Sequence, residues 1–257
     1  MAEHSGTSEP KRVIEWGDYR GVRKFEHPDE LDPDMRKLLL KMLTVQADTE
    51  FASVQQHRPW LDTAPTVNDR LTIARIVADE MRHGWQICQL LPAFGREGEE
   101  AVDWLMNAGI GGHRLDSFNL AYETWYDVVA FTCLVDRVGI AQLKAFEGGS
   151  YAPLTRAVPL MLVEEQLHIN FGYNGVKRLA RDPAQREACQ QAVNKWYPRA
   201  LDMFGHSESW SSEAAVRFGI KRWQNDESRQ QYMDEINRLF QDVDVDITDP
   251  SIDRHIV

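Results

Sequence analysis

Glu80 with His83, and Glu165 with His168, each stand three residues apart. On a helix that spacing puts both side chains on one face. A carboxylate and an imidazole aimed the same way are metal-ligand chemistry. One such pair is common by chance; here it occurs twice, each with an acidic residue about thirty positions upstream on a separate predicted helix. The pattern matches the ligand rule known for di-iron and di-manganese four-helix bundles. Four carboxylates in a bundle core would repel one another if left unpaired. Two divalent ions would offset their charge and leave the imidazoles neutral. Mixed oxygen and nitrogen donors suit iron or manganese, and the pattern leaves both open.

Four long helices must position these groups. After Asp32-Pro33-Asp34 a helical period runs to about His57, with Leu39, Leu40, Leu43, Ala47 and Val54 on its apolar face. The stretch 58–65 breaks it. Thr66 is the expected N-cap of a second helix reaching about Leu91, stopped by Pro92 and Gly95. Residues 98–108 read as a short helix, followed by a break over 109–112. A third long helix is expected from about Ser117 to Phe146, ended by Gly148-Gly149. The fourth holds Leu160 to Ile169 and ends near Asp182-Pro183, with Pro159 marking a kink or its start. Two or three further helices follow from 184. The predicted fold is all-α, a ferritin-like four-helix bundle with additional C-terminal helices. It divides into an extended or partly disordered N-terminal arm (1–30) and a single helical domain (31–257).

The upstream acids follow from helix rise. Two antiparallel helices climb about 1.5 Å per residue from their shared turn, so ligands equidistant from it lie at one height. Glu50 meets this test with Glu80. The third helix offers Glu123, Asp127, Asp136 and Glu147. Glu123 would sit about 13 Å off the height of Glu165, and Asp136 only about 5 Å off. Asp136 also shares its side with Val129, Thr132, Cys133, Ile140 and Leu143, whereas Asp127 points the other way. The expected set is Glu50, Glu80, His83, Asp136, Glu165 and His168, with Glu123 as the fallback.

Neighbouring residues add detail. Asp79 is placed to orient a histidine across the site, with Arg82 holding Asp79. Beside the second pair, Glu164 and Leu167 stand where Asp79 and Arg82 stand beside the first, which predicts unequal support. His57 reads as an end-of-helix residue, His113 and His206 as surface groups, and Glu123, Asp127 and Glu147 as solvated or helix-end acids. Tyr122, Trp125 and Tyr126 read as core aromatics. Lys37, Arg75 and Arg137 are candidates for either anion contacts or ion pairs.

The 257 residues suffice for one well-buried core. With 29 Lys+Arg against 40 Asp+Glu, the net charge of −11 argues against a general nucleic-acid binder. No apolar run is long enough for a membrane span, and the N-terminus lacks the apolar stretch of a secretory signal. The three cysteines, Cys88, Cys133 and Cys189, are widely spaced, which fits a reducing cytoplasm.

The stretches DEMRHG (79–84), VDR (135–137) and YAPLTRAVPLMLVEEQLHINFG (151–172) resemble the catalytic subunit of the phenylacetyl-CoA epoxidase family. WYPRALDMFG (196–205) and FGIKRWQNDESRQQY (218–232) are similar to the same family's C-terminal helices. Benzoyl-CoA epoxidases are close relatives, and in both the third-helix ligand is the Asp before Arg, here Asp136. The resemblance spans about 35 to 240. It implies an O2-activating di-iron centre that adds one oxygen atom to the ring of an aromatic acyl-CoA, most readily phenylacetyl-CoA. It also implies electrons from a separate reductase and an inactive ferritin-like partner subunit. A benzoyl-CoA-type epoxidase and a ferritin-like iron-oxidising or storage protein use the same ligands. A non-catalytic structural partner would not need buried carboxylates.

Overall fold

Asp32 accepts the amide hydrogen of Asp34, and Pro33 opens the first helix, α1 (Pro33–His57). The computed structural model describes residues 22–256. A tight turn over Arg58–Trp60 reverses the chain, and the Thr66 side chain caps α2 (Val67–Cys88). α2 stops short of the expected Leu91, because Leu91–Phe94 tighten into a 3-10 turn ahead of Gly95 at φ 70°. α3 (Arg96–Asn107) follows.

The third long helix begins later than the period suggests. α4 runs over Trp125–Phe146, and the expected start at Ser117 falls in a short 3-10 turn, Asp116–Asn119. The reason is a capping box: Thr124 accepts the amide of Asp127, whose carboxylate takes the amides of Glu123 and Thr124. Asp127 is therefore a helix-end acid, but a buried one, held by Trp196 Nε1 at 2.9 Å and Lys195 at 3.0 Å. His113 is a correction: expected at the surface, it is buried with Nδ1 2.8 Å from Asp48 Oδ1. Asp48 also accepts the Arg114 amide, so the pair fastens the 108–116 loop to α1.

α5 (Ala152–Arg181) stays helical through Pro159, and its start lies at Ala152. α6 (Arg186–Asp202), α7 (Trp210–Arg217) and α8 (Asn225–Phe240) complete the chain. The all-α, ferritin-like bundle is as expected, and the described residues contain no strand, only one isolated bridge between Phe25 and Tyr151. Of the expected arm, residues 1–21 lie outside the described residues. The rest runs across the α4–α5 turn, where Phe25 exchanges backbone hydrogen bonds with Ser150 and Ala152.

α1 pairs with α2, α4 with α5, and α2 touches α5. α4 and α5 approach closely through glycine: a Cβ on Gly172 would lie 2.3 Å from the Cys133 nitrogen, and one on Gly175 would lie 2.7 Å from Val129. α6 and α8 wrap the far side of α4, which is why the chain makes it apolar on all faces. α1 and α4 touch near His57, whose Nε2 lies 3.2 Å from Thr132 Oγ1, then separate around a cavity. One apolar core gathers Phe131, Trp196, Tyr197 and Tyr232; another gathers Leu39, Leu43, Ile87 and Phe94. The polar site lies between them. Cys88, Cys133 and Cys189 are buried free thiols, and no described helix is long and apolar enough to cross a membrane.

Candidate metal centre

Glu50 comes from α1, Glu80 and His83 from α2, Asp136 from α4, and Glu165 and His168 from α5. All six are buried. Ligand atoms of Glu50, Glu80, His83 and Glu165 lie within 4.8 Å of one another, as do those of Glu80, Asp136 and His168. Glu80 belongs to both groups. Glu165 faces both rings, 3.2 Å from His83 Nδ1 and 3.3 Å from His168 Nδ1.

The rings are held from behind. His83 Nε2 lies 2.9 Å from Glu164 Oε2 on α5, and His168 Nε2 lies 3.4 Å from Asp79 Oδ2 on α2. Each imidazole is thus oriented by a carboxylate on the opposite helix. Arg82 binds Asp79 at 3.2 Å and also Glu164. The expected inequality is corrected: Glu164 mirrors Asp79, and one guanidinium serves both, so no second Arg is required at Leu167.

With each Nε2 engaged outside, the Nδ1 atoms face the carboxylates. Neither Nδ1 makes a well-directed hydrogen bond, and Asp136 Oδ2 has no partner. Buried polar atoms are rarely left so, and these converge on one space. The charge pattern agrees. Burial, then the charges of Glu165 and Glu50, push the Glu80 carboxyl well above its usual range; burial and Glu165 do the same to Asp136. Burial disfavours the His83 cation, yet Glu165 and Glu50 push its pKa up to about 11. His168 is raised for the same kind of reason. Burial opposes ionisation of Glu165, but His168 and His83 bring it down to about 2. Protons occupy places where the site favours positive charge. The donor set of carboxylates and Nδ1 imidazoles fits a pair of first-row divalent ions.

Around this centre, Gln46 Nε2 donates to Glu50 at 2.7 Å, and Ser53 Oγ donates to Glu80 at 3.0 Å. Sequence reasoning passed over both, although they lie four before and three after Glu50, on its own face. His57 closes α1 as expected. Its Nδ1 lies 3.0 Å from the Ser53 carbonyl, and burial lowers its pKa to about 4, so it stays neutral. Tyr122 packs edge-on to His57 and Trp196 as a core aromatic. Glu123 is exposed ahead of α4, and Glu147 is exposed at its end. Lys37 is exposed, while Arg75 and Arg137 form ion pairs with Asp79 and Glu235.

A small, partly open chamber of about 30 Å³ reaches Glu50, Glu80, Asp136 and Glu165. An outer cleft of about 170 Å³, walled by Leu38, Met42, Val45, Phe146 and Phe204 with Lys41 and Lys221 among its polar groups, shares Gln46, Thr49, Gly139 and Met203 with that chamber. The two cavities adjoin at these four residues, the outer one on the side away from the carboxylates.

Residues 13–254 match the profile of the phenylacetic acid catabolic protein family. The chain is 29% identical over 238 residues to benzoyl-CoA oxygenase component B of Aromatoleum evansii, covering 83% of this chain and 50% of that protein. It is 27% identical over 229 residues to one subunit of the 1,2-phenylacetyl-CoA epoxidase of Escherichia coli (strain K12), covering 88% of this chain and 74% of that one. The chain therefore spans about half the length of the first of these relatives.

Proposed function

This chain belongs to the phenylacetic acid catabolic protein family, and from that premise we propose that it is the metal-bearing subunit of a multicomponent di-iron oxygenase that epoxidises the ring of an aromatic acyl-CoA. The observation carrying this reading is the pair of overlapping carboxylate–imidazole groups beside the inner of two adjoining cavities. Glu50, Glu80, His83, Asp136, Glu165 and His168 would hold two irons. The bound irons would supply oxygen-activating redox chemistry. In the overall reaction O2, two electrons and two protons convert the arene to an epoxide and release water. The chain's own residues position and exclude. Glu164, Asp79 and Arg82 hold the rings, Gln46 and Ser53 orient two carboxylates, and the apolar walls keep bulk water from the chamber.

The substrate's ring would enter the chamber while its CoA portion remains in or beyond the outer cleft. Both relatives are parts of larger enzymes, one named a component and the other a subunit, which supports further chains here: a ferritin-like partner and an electron-donating reductase. Free buried thiols fit a reducing cytoplasm. Phenylacetyl-CoA is the preferred substrate, and benzoyl-CoA is the second reading that the other relative's name favours. Anaerobic reconstitution with ferrous iron, followed by metal analysis and turnover on both thioesters with reductase and partner, tests this. The expected result is iron retained in both groups and epoxide formed. A chain that retains no iron would overturn the reading.

A further inference from the structure

Five glycines lie inside described α-helices, and a glycine there costs about 0.5–1 kcal/mol relative to alanine. Four have a packing reason. A Cβ would strike Phe51 from Gly84, the Leu91 carbonyl from Gly98, the Cys133 backbone from Gly172 and Val129 from Gly175. Gly139 has none: a Cβ there would meet nothing within 4 Å. Its φ is not positive, so an L side chain fits its backbone. Between 127 and 140 it is the one residue of α4 that is not fully buried, because it faces open space.

That space is where the two cavities adjoin. Gly139 lies one turn beyond Asp136, on the same face, and lines both the inner chamber and the outer cleft. Gln46 and Thr49 of α1 and Met203 complete the shared wall. α1 and α4 have already separated here, so the bore is set by what projects from position 139. We infer that the absent side chain of Gly139 is the aperture through which a planar ring reaches the carboxylate chamber, making position 139 a specificity-determining residue. The inference rests on the proposed function for the identity of the natural ring, but not for the existence of the opening.

Crystals of the full-length protein and of Gly139→Ala and Gly139→Leu, soaked with 4-bromophenol, test it through the bromine anomalous signal. The wild type is expected to show bromine in the inner chamber, the Ala variant a weaker signal there, and the Leu variant bromine in the outer cleft only. Thermal unfolding should show Gly139→Ala folded and more stable than wild type, and metal uptake should remain intact in both variants. With phenylacetyl-CoA, Gly139→Leu should lower kcat/KM by about 100-fold or more. Inner-chamber bromine that persists undiminished in Gly139→Leu, or that never appears in wild type, would overturn the aperture. If the bromophenol series behaves as stated while neither phenylacetyl-CoA nor benzoyl-CoA binds the wild type, the aperture stands and the substrate reading fails.

Discussion

On the α1–α2 side of the site, Gln46 donates to Glu50 and Ser53 donates to Glu80; on the α4–α5 side, Asp136 Oδ2 has no hydrogen-bond partner. The packing differs in the same sense. α1 and α2 meet through side chains, such as the Phe51 ring over Gly84, and α2 exposes Val67, Leu71 and Trp85. α4 and α5 meet backbone to backbone at Gly172 and are covered by α6 and α8. The α1–α2 carboxylates are fixed by side-chain hydrogen bonds, whereas Asp136 depends on the close packing of α4. The same ligand plan thus tolerates two kinds of support, because a metal site requires directed donors and is indifferent to what holds them.

The largest expected effect separates the shared carboxylate from an unshared one. Glu80→Ala should remove both ions and all turnover, since Glu80 stands in both groups, whereas Asp136→Ala should leave the Glu50, Glu80, His83 and Glu165 group able to retain metal. Metal analysis of each purified variant decides this, and equal losses would erase the distinction.

His57 joins the halves, and its titration tests how firmly. Its folded pKa is about 4, below the ordinary 6.5, so between those values the unfolded chain binds more protons. Stability of the metal-free protein should fall as pH drops through that window, by up to about 3 kcal/mol. Urea melts at several pH values should show this slope flattened in His57→Phe. Glu80 and Asp136, with raised pKa values, act in the opposite direction: they reduce metal-free stability as pH rises above the ordinary carboxylate range.

Backbone contact against side-chain contact is next. In Gly172→Ala the new Cβ meets the Cys133 backbone, and thermal melts should show a loss of about 1–3 kcal/mol or more. In Gly84→Ala it meets the Phe51 ring, which can turn aside, and the loss should stay under about 1 kcal/mol. The reverse order would contradict the division between the halves. Arg82→Leu, which copies the Leu167 side, should weaken metal binding in both groups by about 10–100-fold in competition with a chelator. Asp79→Asn should act mainly on the His168 group and Glu164→Gln on the His83 group. Smallest of all, Glu123→Ala should leave metal content unchanged and alter stability by no more than about 0.5 kcal/mol.

The legible parts of the site were those governed by helical spacing. The smaller height mismatch brought Asp136 to the foreground over Glu123, and the structure has Asp136 among the clustered groups and Glu123 exposed in the loop ahead of α4. The three-residue offset between Asp79 and Arg82 likewise anticipated their contact. What misled was one-dimensional context. His113, next to glycines, read as a surface residue because Asp48, its partner, lies 65 positions away. The third helix looked longer because Phe118, Leu120 and Tyr122 are apolar, and only the Thr124–Asp127 box shows where it starts.

Residue order alone determined that there are four long helices, the faces on which the six candidate ligands sit, and the registers that bring them to similar height, because helix periodicity and rise are local properties. The tertiary structure decided that Glu164 and Asp79 cross to each other's histidines, that one guanidinium serves both, and that α1 and α4 separate beside Gly139. Those features are distances between helices far apart in the chain, and an opening in particular is a space that no residue's spacing encodes.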